Sequence, residues 1–282
     1  MEIQPIMASF LFVQIGMDPN ISGMTLPILG PLIFSWHGLF TAVGISCVLI
    51  WAIRRAKKEG YSEDIIYGIA ISAIIGGLLG ARLVHVIDFW GYYSSNPDAI
   101  LRLWAGGIGL MGGIIGATLG GSLYIWRHRY PFGRILDITT PGILIGQFVG
   151  RIGDIINGEH LANFLNQPWA IQYTHPDSPA YGRGPMHPAI AYEMILDIII
   201  FLITYKLIGK IKPDGMVFAT YLTLYGFGRF FIQFTRKDST WVAGLQEAHF
   251  LALGMLLVGI YMLATKATIS PKAESEDQPS ET

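Results

Sequence analysis

Apolar runs of about twenty residues recur from one end of the chain to the other, the length an α-helix needs to cross the ~30 Å hydrocarbon core of a bilayer. They fall at roughly 32–53, 65–88, 106–126, 135–154, 188–208, 216–235 and 247–265. The chain is 52% hydrophobic and only 14% charged over 282 residues, too little charge to cover a soluble domain of that size. The expected fold class is all-α: a polytopic membrane protein whose seven transmembrane helices occupy 32–265. An N-terminal extracytoplasmic segment, 1–31, precedes them, and a disordered tail, 266–282, follows. The single cysteine, Cys47, excludes a disulfide framework or a cysteine-based zinc site within one chain. "MEIQPIMASFLFVQIG" lacks the basic start of a signal peptide, so no cleaved segment is expected.

Charge sets the expected orientation. "RRAKKEG" (54–60), "RHRYPFGR" (127–134), "KLIGKIKPDG" (206–215) and the C-terminal tail hold twelve of the nineteen Lys and Arg residues, all on one side of the spans. The positive-inside rule makes that side cytoplasmic, with the N-terminus outside and the C-terminus inside. Residues 89–105 are rich in interfacial aromatics, and 155–187 form a long Pro-, Gly- and Tyr-rich loop of the kind that carries function.

Small-residue ladders mark helix-packing faces: Gly76 and Gly80; Gly112, Gly116 and Gly120; Gly142, Gly146 and Gly150. Polar residues follow another rule. With the spans oriented, His37, Arg82, His85, Asp88, Arg151, Asp154, His187, Tyr192, Glu193, Tyr225, Arg229 and Gln233 all fall toward the outer leaflet, facing one shared cavity. An arginine at the centre of a span costs roughly 2.5–3.5 kcal/mol on insertion scales and therefore needs a partner or a ligand. Internal ion pairing and snorkelling are the alternative for Arg82. Arg151 and Arg229 lack obvious neutralising carboxylates, and paired guanidiniums suit phosphate oxygens, which points to a phospholipid headgroup as ligand. "NG" at 157–158 is a turn signal that ends the fourth span and directs Glu159 back to the cavity. Cys47, about ten residues below His37, reads as a small packing residue.

"GRIGDIINGEH" (150–160) is similar to G-R-x-G-N-F-x-N-G-E, the signature of the bacterial prolipoprotein diacylglyceryl transferase family. "SWHGL" (35–39), "GARL" (80–83), "GGIGLMGG" (106–113), "HPAIAYE" (187–193) and "YGFGRFFIQFTR" (225–236) match its other motifs, so the resemblance covers nearly the whole chain. It implies a multi-pass enzyme of the bacterial cytoplasmic (inner) membrane. Such an enzyme moves the diacylglyceryl group of phosphatidylglycerol to the lipobox cysteine thiol of preprolipoproteins, the first step of lipoprotein maturation, and releases glycerol 1-phosphate. Arg151 then holds the headgroup and Arg229 stabilises the departing phosphate. Asp154, Asn157, Glu159, Arg82, His187, Tyr192 and Glu193 complete the phosphatidylglycerol site. The expected partners are these two substrates and membrane lipids; no cofactor, metal or nucleic acid is expected.

The chain departs from the family pattern at five places. Met111 stands where a histidine is usual, His37 where a tyrosine is, Asp154 where an asparagine is, Gln233 where an acid is, and Ala162 where a glycine is. A thioether takes no thiol proton, so the base lies elsewhere or the thiol reacts without one; His37 is one substitute, and His85 and His187 are others. Two rival functions follow: a family member that binds lipid or lipoprotein without transfer, and a transporter. The second is disfavoured because neither repeats nor a midplane polar pathway is visible.

Overall fold

The computed structural model describes residues 12–26, 30–102, 106–107 and 109–269; the ends of the N-terminal segment and of the tail, 1–11 and 270–282, lie outside them. Among the described residues eight α-helices dominate: α1 Trp36–Lys58, α2 Glu63–Asp88, a short α3 Trp90–Ser95, α4 Leu110–Arg127, α5 Phe132–Asn157, α6 Ala189–Leu207, α7 Met216–Gln233 and α8 Glu247–Lys266. The seven long ones coincide with the seven apolar runs to within a few residues. Three of them, α1, α2 and α8, are long and apolar enough to cross a membrane by length and composition. Large apolar side chains point away from the protein along α2 and α4, among them Leu79, Leu83, Leu119 and Leu123. Such faces have no place in water, and the fold is that of a mostly helical membrane protein.

The all-α expectation needs correction at the helix ends. β1 (Val13–Ile15) pairs in parallel with β4 (Ile171–Tyr173), and β2 (Asn20–Leu26) pairs antiparallel with β3 (Gly30–Ser35). The two-residue strands β5 (Ile211–Lys212) and β8 (Thr268–Ile269) join, as do β6 (Thr240–Val242) and β7 (Leu245–Gln246). Three of the four ribbons are too short to show a period-2 pattern, and each pairs backbone groups of the connecting segments. The first helix starts at Trp36, later than the apolar run, because β3 consumes the run's first residues and Ser35 caps the helix by accepting from the Gly38 N–H at 3.1 Å.

Packing follows the small residues. α2 lies against α4 so closely that a Cβ at Gly76 or Gly80 would overlap the backbone of Gly116 or Gly112. α1 and α5 meet likewise, and a Cβ at Gly44 would stand 2.6 Å from the Gly146 carbonyl oxygen. On α7, one at Gly226 would stand 2.5 Å from the Ala252 carbonyl oxygen of α8. Three intimate helix pairs result, with α5 also packed against α6 and α7. Buried Leu144, Ile200 and Tyr221 form the core where α5, α6 and α7 meet. One end of this trio carries the polar residues.

Candidate active site

The last turns of α5 and α7 and the first turn of α6 come together around one carboxylate. Glu193 of α6, with a side chain only 4% exposed, bonds Arg151 of α5 through Oε2 and Arg229 of α7 through Oε1. A third guanidinium joins them: Arg236 Nη1 is 3.4 Å from Glu193 Oε1. Arg151 also donates to the Tyr225 hydroxyl at 3.0 Å and lies 3.4 Å from Asp197, one helical turn beyond Glu193. Around Glu193 itself, three guanidiniums thus meet two carboxylates. Asp238, 3.2 Å from Arg236, pairs with it from a half-exposed position. Charges held this far from water interact more strongly than they would at the surface.

A second polar group adjoins the first. Asp154, one turn beyond Arg151, accepts from His37 Nδ1 at 2.7 Å, and its other oxygen is 3.6 Å from His160 Nε2. His160 Nδ1 in turn accepts from Arg236 at 2.9 Å. An unbroken chain of contacts therefore runs from His37 to Glu193. α5 ends immediately after, at Asn157, because Gly158 adopts a left-handed φ of 72° and its N–H bonds the Asp154 carbonyl at 3.0 Å. Tyr173 braces this end by donating to the Ile155 carbonyl at 2.8 Å, and its own burial pushes the phenol above its usual range.

The residues singled out in the sequence divide into two groups. His37, Arg151, Asp154, Glu193 and Arg229 share the network. Asn157 closes α5 beside it, with its carbonyl accepting from Ser178 at 3.3 Å, and Glu159 lies exposed at its rim. His187 and Tyr192 contact each other, Nδ1 to hydroxyl at 3.5 Å, where the long loop enters α6. Arg82 does something else. Its guanidinium donates to the carbonyls of Ile100 at 2.8 Å, Gly106 at 2.6 Å, Gly107 at 2.7 Å and Ala99 at 2.5 Å, and lies over the Tyr93 ring. It ties the α2–α4 connection together.

Sequence reasoning passed over Asp197, Arg236 and Asp238. Asp197 carried a usable signal: an acid in the middle of an apolar run, at i+4 from Glu193, is costly unless paired. Arg236 falls one residue beyond the 216–235 span. A turn at Phe234–Thr235 folds it back, with Arg236 bridging to Ala162.

His37, Asp154 and Glu159 offer ligand atoms within 4.8 Å of one another, as do Asp18, His175 and Asp177. The 2.7 Å between His37 and Asp154 is a hydrogen-bond distance, closer than two ligands on one ion with bonds of about 2.1 Å at a tetrahedral angle. A hydrogen bond joins that pair.

The sequence has named relatives. A family model described as prolipoprotein diacylglyceryl transferase matches residues 24–265. The chain belongs to the prolipoprotein diacylglyceryl transferase family. A Dehalococcoides mccartyi protein named phosphatidylglycerol–prolipoprotein diacylglyceryl transferase is 35% identical over 233 residues, 82% of this chain and 88% of that one. Proteins of the same name from Clostridioides difficile and Trichormus variabilis are 35% and 31% identical, over 80% and 86% of this chain. Membership in the diacylglyceryl transferase family and the arginine cluster at the end of α5 point to the same class of chemistry.

Proposed function

We propose that this protein transfers the diacylglyceryl group of phosphatidylglycerol to the lipobox cysteine thiol of prolipoproteins, releasing glycerol 1-phosphate. The observation that carries this reading is the gathering of Arg151, Arg229 and Arg236 on the single carboxylate of Glu193. The reaction displaces a phosphate from a glyceryl carbon, so negative charge accumulates on phosphate oxygen as the C–O bond breaks. Guanidiniums already held in place stabilise that charge without reorganising. Arg151 grips the headgroup and Arg229 meets the leaving phosphate. Asp154, Asn157, Glu159, His187, Tyr192 and Glu193 shape the surrounding polar site, and Arg82 contributes by fixing the adjoining connection. Binding without transfer and transport both lack support from the relatives.

The seven long helices all span the bacterial cytoplasmic membrane in this reading, with the site at the outer leaflet, the N-terminus outside and the C-terminus inside. Excess Lys and Arg at the opposite helix ends supports the orientation. Cysteine probes at 58 and 131 should react from the cytoplasm and those at 95 and 178 from outside.

The deciding experiment incubates the purified full-length protein in detergent with phosphatidylglycerol and a lipobox peptide. A diacylglyceryl adduct on the peptide thiol, seen by mass spectrometry and lost with Arg229→Ala, is the expected result. A well-folded wild-type protein that forms no adduct overturns the proposal.

A further inference from the structure

The transfer reaction needs something to take the thiol's proton; His85 packs against Phe89 and Tyr93 beside Arg82, and three other imidazoles stand near the network. His160 is unavailable: its Nδ1 lone pair already accepts from Arg236 at 2.9 Å, so its proton sits on Nε2, facing Asp154. His187 lies beside Tyr192, with no carboxylate to orient it among the described contacts. His37 differs from both. A carboxylate only accepts, so the 2.7 Å contact with Asp154 places the proton on His37 Nδ1. That leaves the Nε2 lone pair unoccupied, on a side chain 42% exposed at the mouth of the network.

The backbone enforces the pairing. A Cβ at Gly153 would lie 2.8 Å from His37 Cα and 3.0 Å from the Trp36 carbonyl oxygen, so the start of α1 touches the end of α5 only because residue 153 has no side chain. The imidazole's titratable neighbours are Asp154 on α5 and Glu159 and His160 in the turn that follows.

Resting on the proposed transfer reaction, we propose that His37 and Asp154 form a paired base for the substrate thiol. His37 is the proton acceptor, and Asp154 is the positioning residue that keeps Nε2 free. The balance is simple. The cysteine S–H proton passes to His37 Nε2, and the sulfur pair forms the S–C bond to the glyceryl carbon as the C–O bond breaks. The electrons of that bond leave on the phosphate of glycerol 1-phosphate. The imidazolium then returns its proton to water or to the departing phosphate. Nothing is oxidised or reduced.

His37→Asn tests the acceptor role, because its amide still donates to Asp154 but offers no base. With phosphatidylglycerol and the lipobox peptide, kcat at pH 7 should fall at least ~100-fold, the lower range for general-base catalysis, with KM for lipid unchanged. The deficit should close as pH rises past the free thiol's pKa of about 8.5, where thiolate forms unaided. Turnover within twofold of wild type at pH 7 overturns the proposal. Asp154→Asn should lower kcat as well and move the His37 proton from Nδ1 to Nε2. [15N]Histidine NMR on the full-length protein reads that tautomer directly, without turnover. A wild-type protein that shows the Nδ1–H tautomer but forms no adduct would retain the pair and sink the transfer reading. An Nε2–H tautomer in the wild type removes the pair itself.

Discussion

Arg82 and Arg151 both stand inside long apolar helices, yet their guanidiniums are held by different kinds of acceptor. Arg82 meets backbone carbonyls from the α2–α4 connection, dipoles fixed by the chain itself. Arg151 meets the carboxylate of Glu193, which also serves Arg229 and Arg236, and the edge of Asp197. A guanidinium has five donors. Those of Arg82 are committed to backbone, so its charge serves to close a loop. Those around Glu193 are shared, and an incoming phosphate can compete for them without leaving a carbonyl unsatisfied. Two arginines in apolar helices thus do different work, one structural and one poised for a ligand.

The strongest way to break this contrast is Glu193→Gln. Removing the shared charge leaves three guanidiniums close together with one buried carboxylate, and disrupting a buried pair costs ~3–5 kcal/mol. The variant should lose much of its folded yield and cooperative melting in detergent; a wild-type melting curve would mean the arginines find other partners. Next in size is Arg151→Lys, which keeps the charge but loses the fork. We expect transfer to fall at least tenfold with folding intact, and near wild-type turnover would remove the headgroup role. Arg82→Lys sharpens the comparison from the other side. A lysine cannot reach all those carbonyls, and two lost bonds to a charged group at ~1.5 kcal/mol each predict a destabilisation of about 3 kcal/mol. Activity per folded molecule should stay within a few-fold of wild type. Cys47→Ala should do least: its thiol lines a cleft with Trp51, Arg54 and Tyr205 on the helix face far from His37, and both melting and transfer should match wild type.

The helices were readable because apolar length and basic turns are local signals, and each long helix falls on its run. The α7 end was not. Nothing in "FTRKD" tells that a turn brings Arg236 back under Glu193, since that depends on the β6–β7 ribbon and the Gln233–Asp238 bond at 2.7 Å. Arg151, Arg229 and Glu193 were legible one by one, as costly groups in apolar runs. That a single carboxylate joins them was not, because i, i+4 spacing describes one helix face and the hub spans three helices. The same limit hid the fate of Arg82, whose acceptors are carbonyls that carry no residue-type signature.

The shared carboxylate also governs how substitutions combine. Because Glu193 answers to Arg151, Arg229 and Arg236 at once, the effects of changing any two of these four side chains will not sum. Once Glu193 is neutralised, a further loss of Arg151 or Arg229 also relieves repulsion, so the second change costs less than it does alone. The cluster therefore behaves as one inherited unit, open to replacement by coordinated exchange and closed to most single steps.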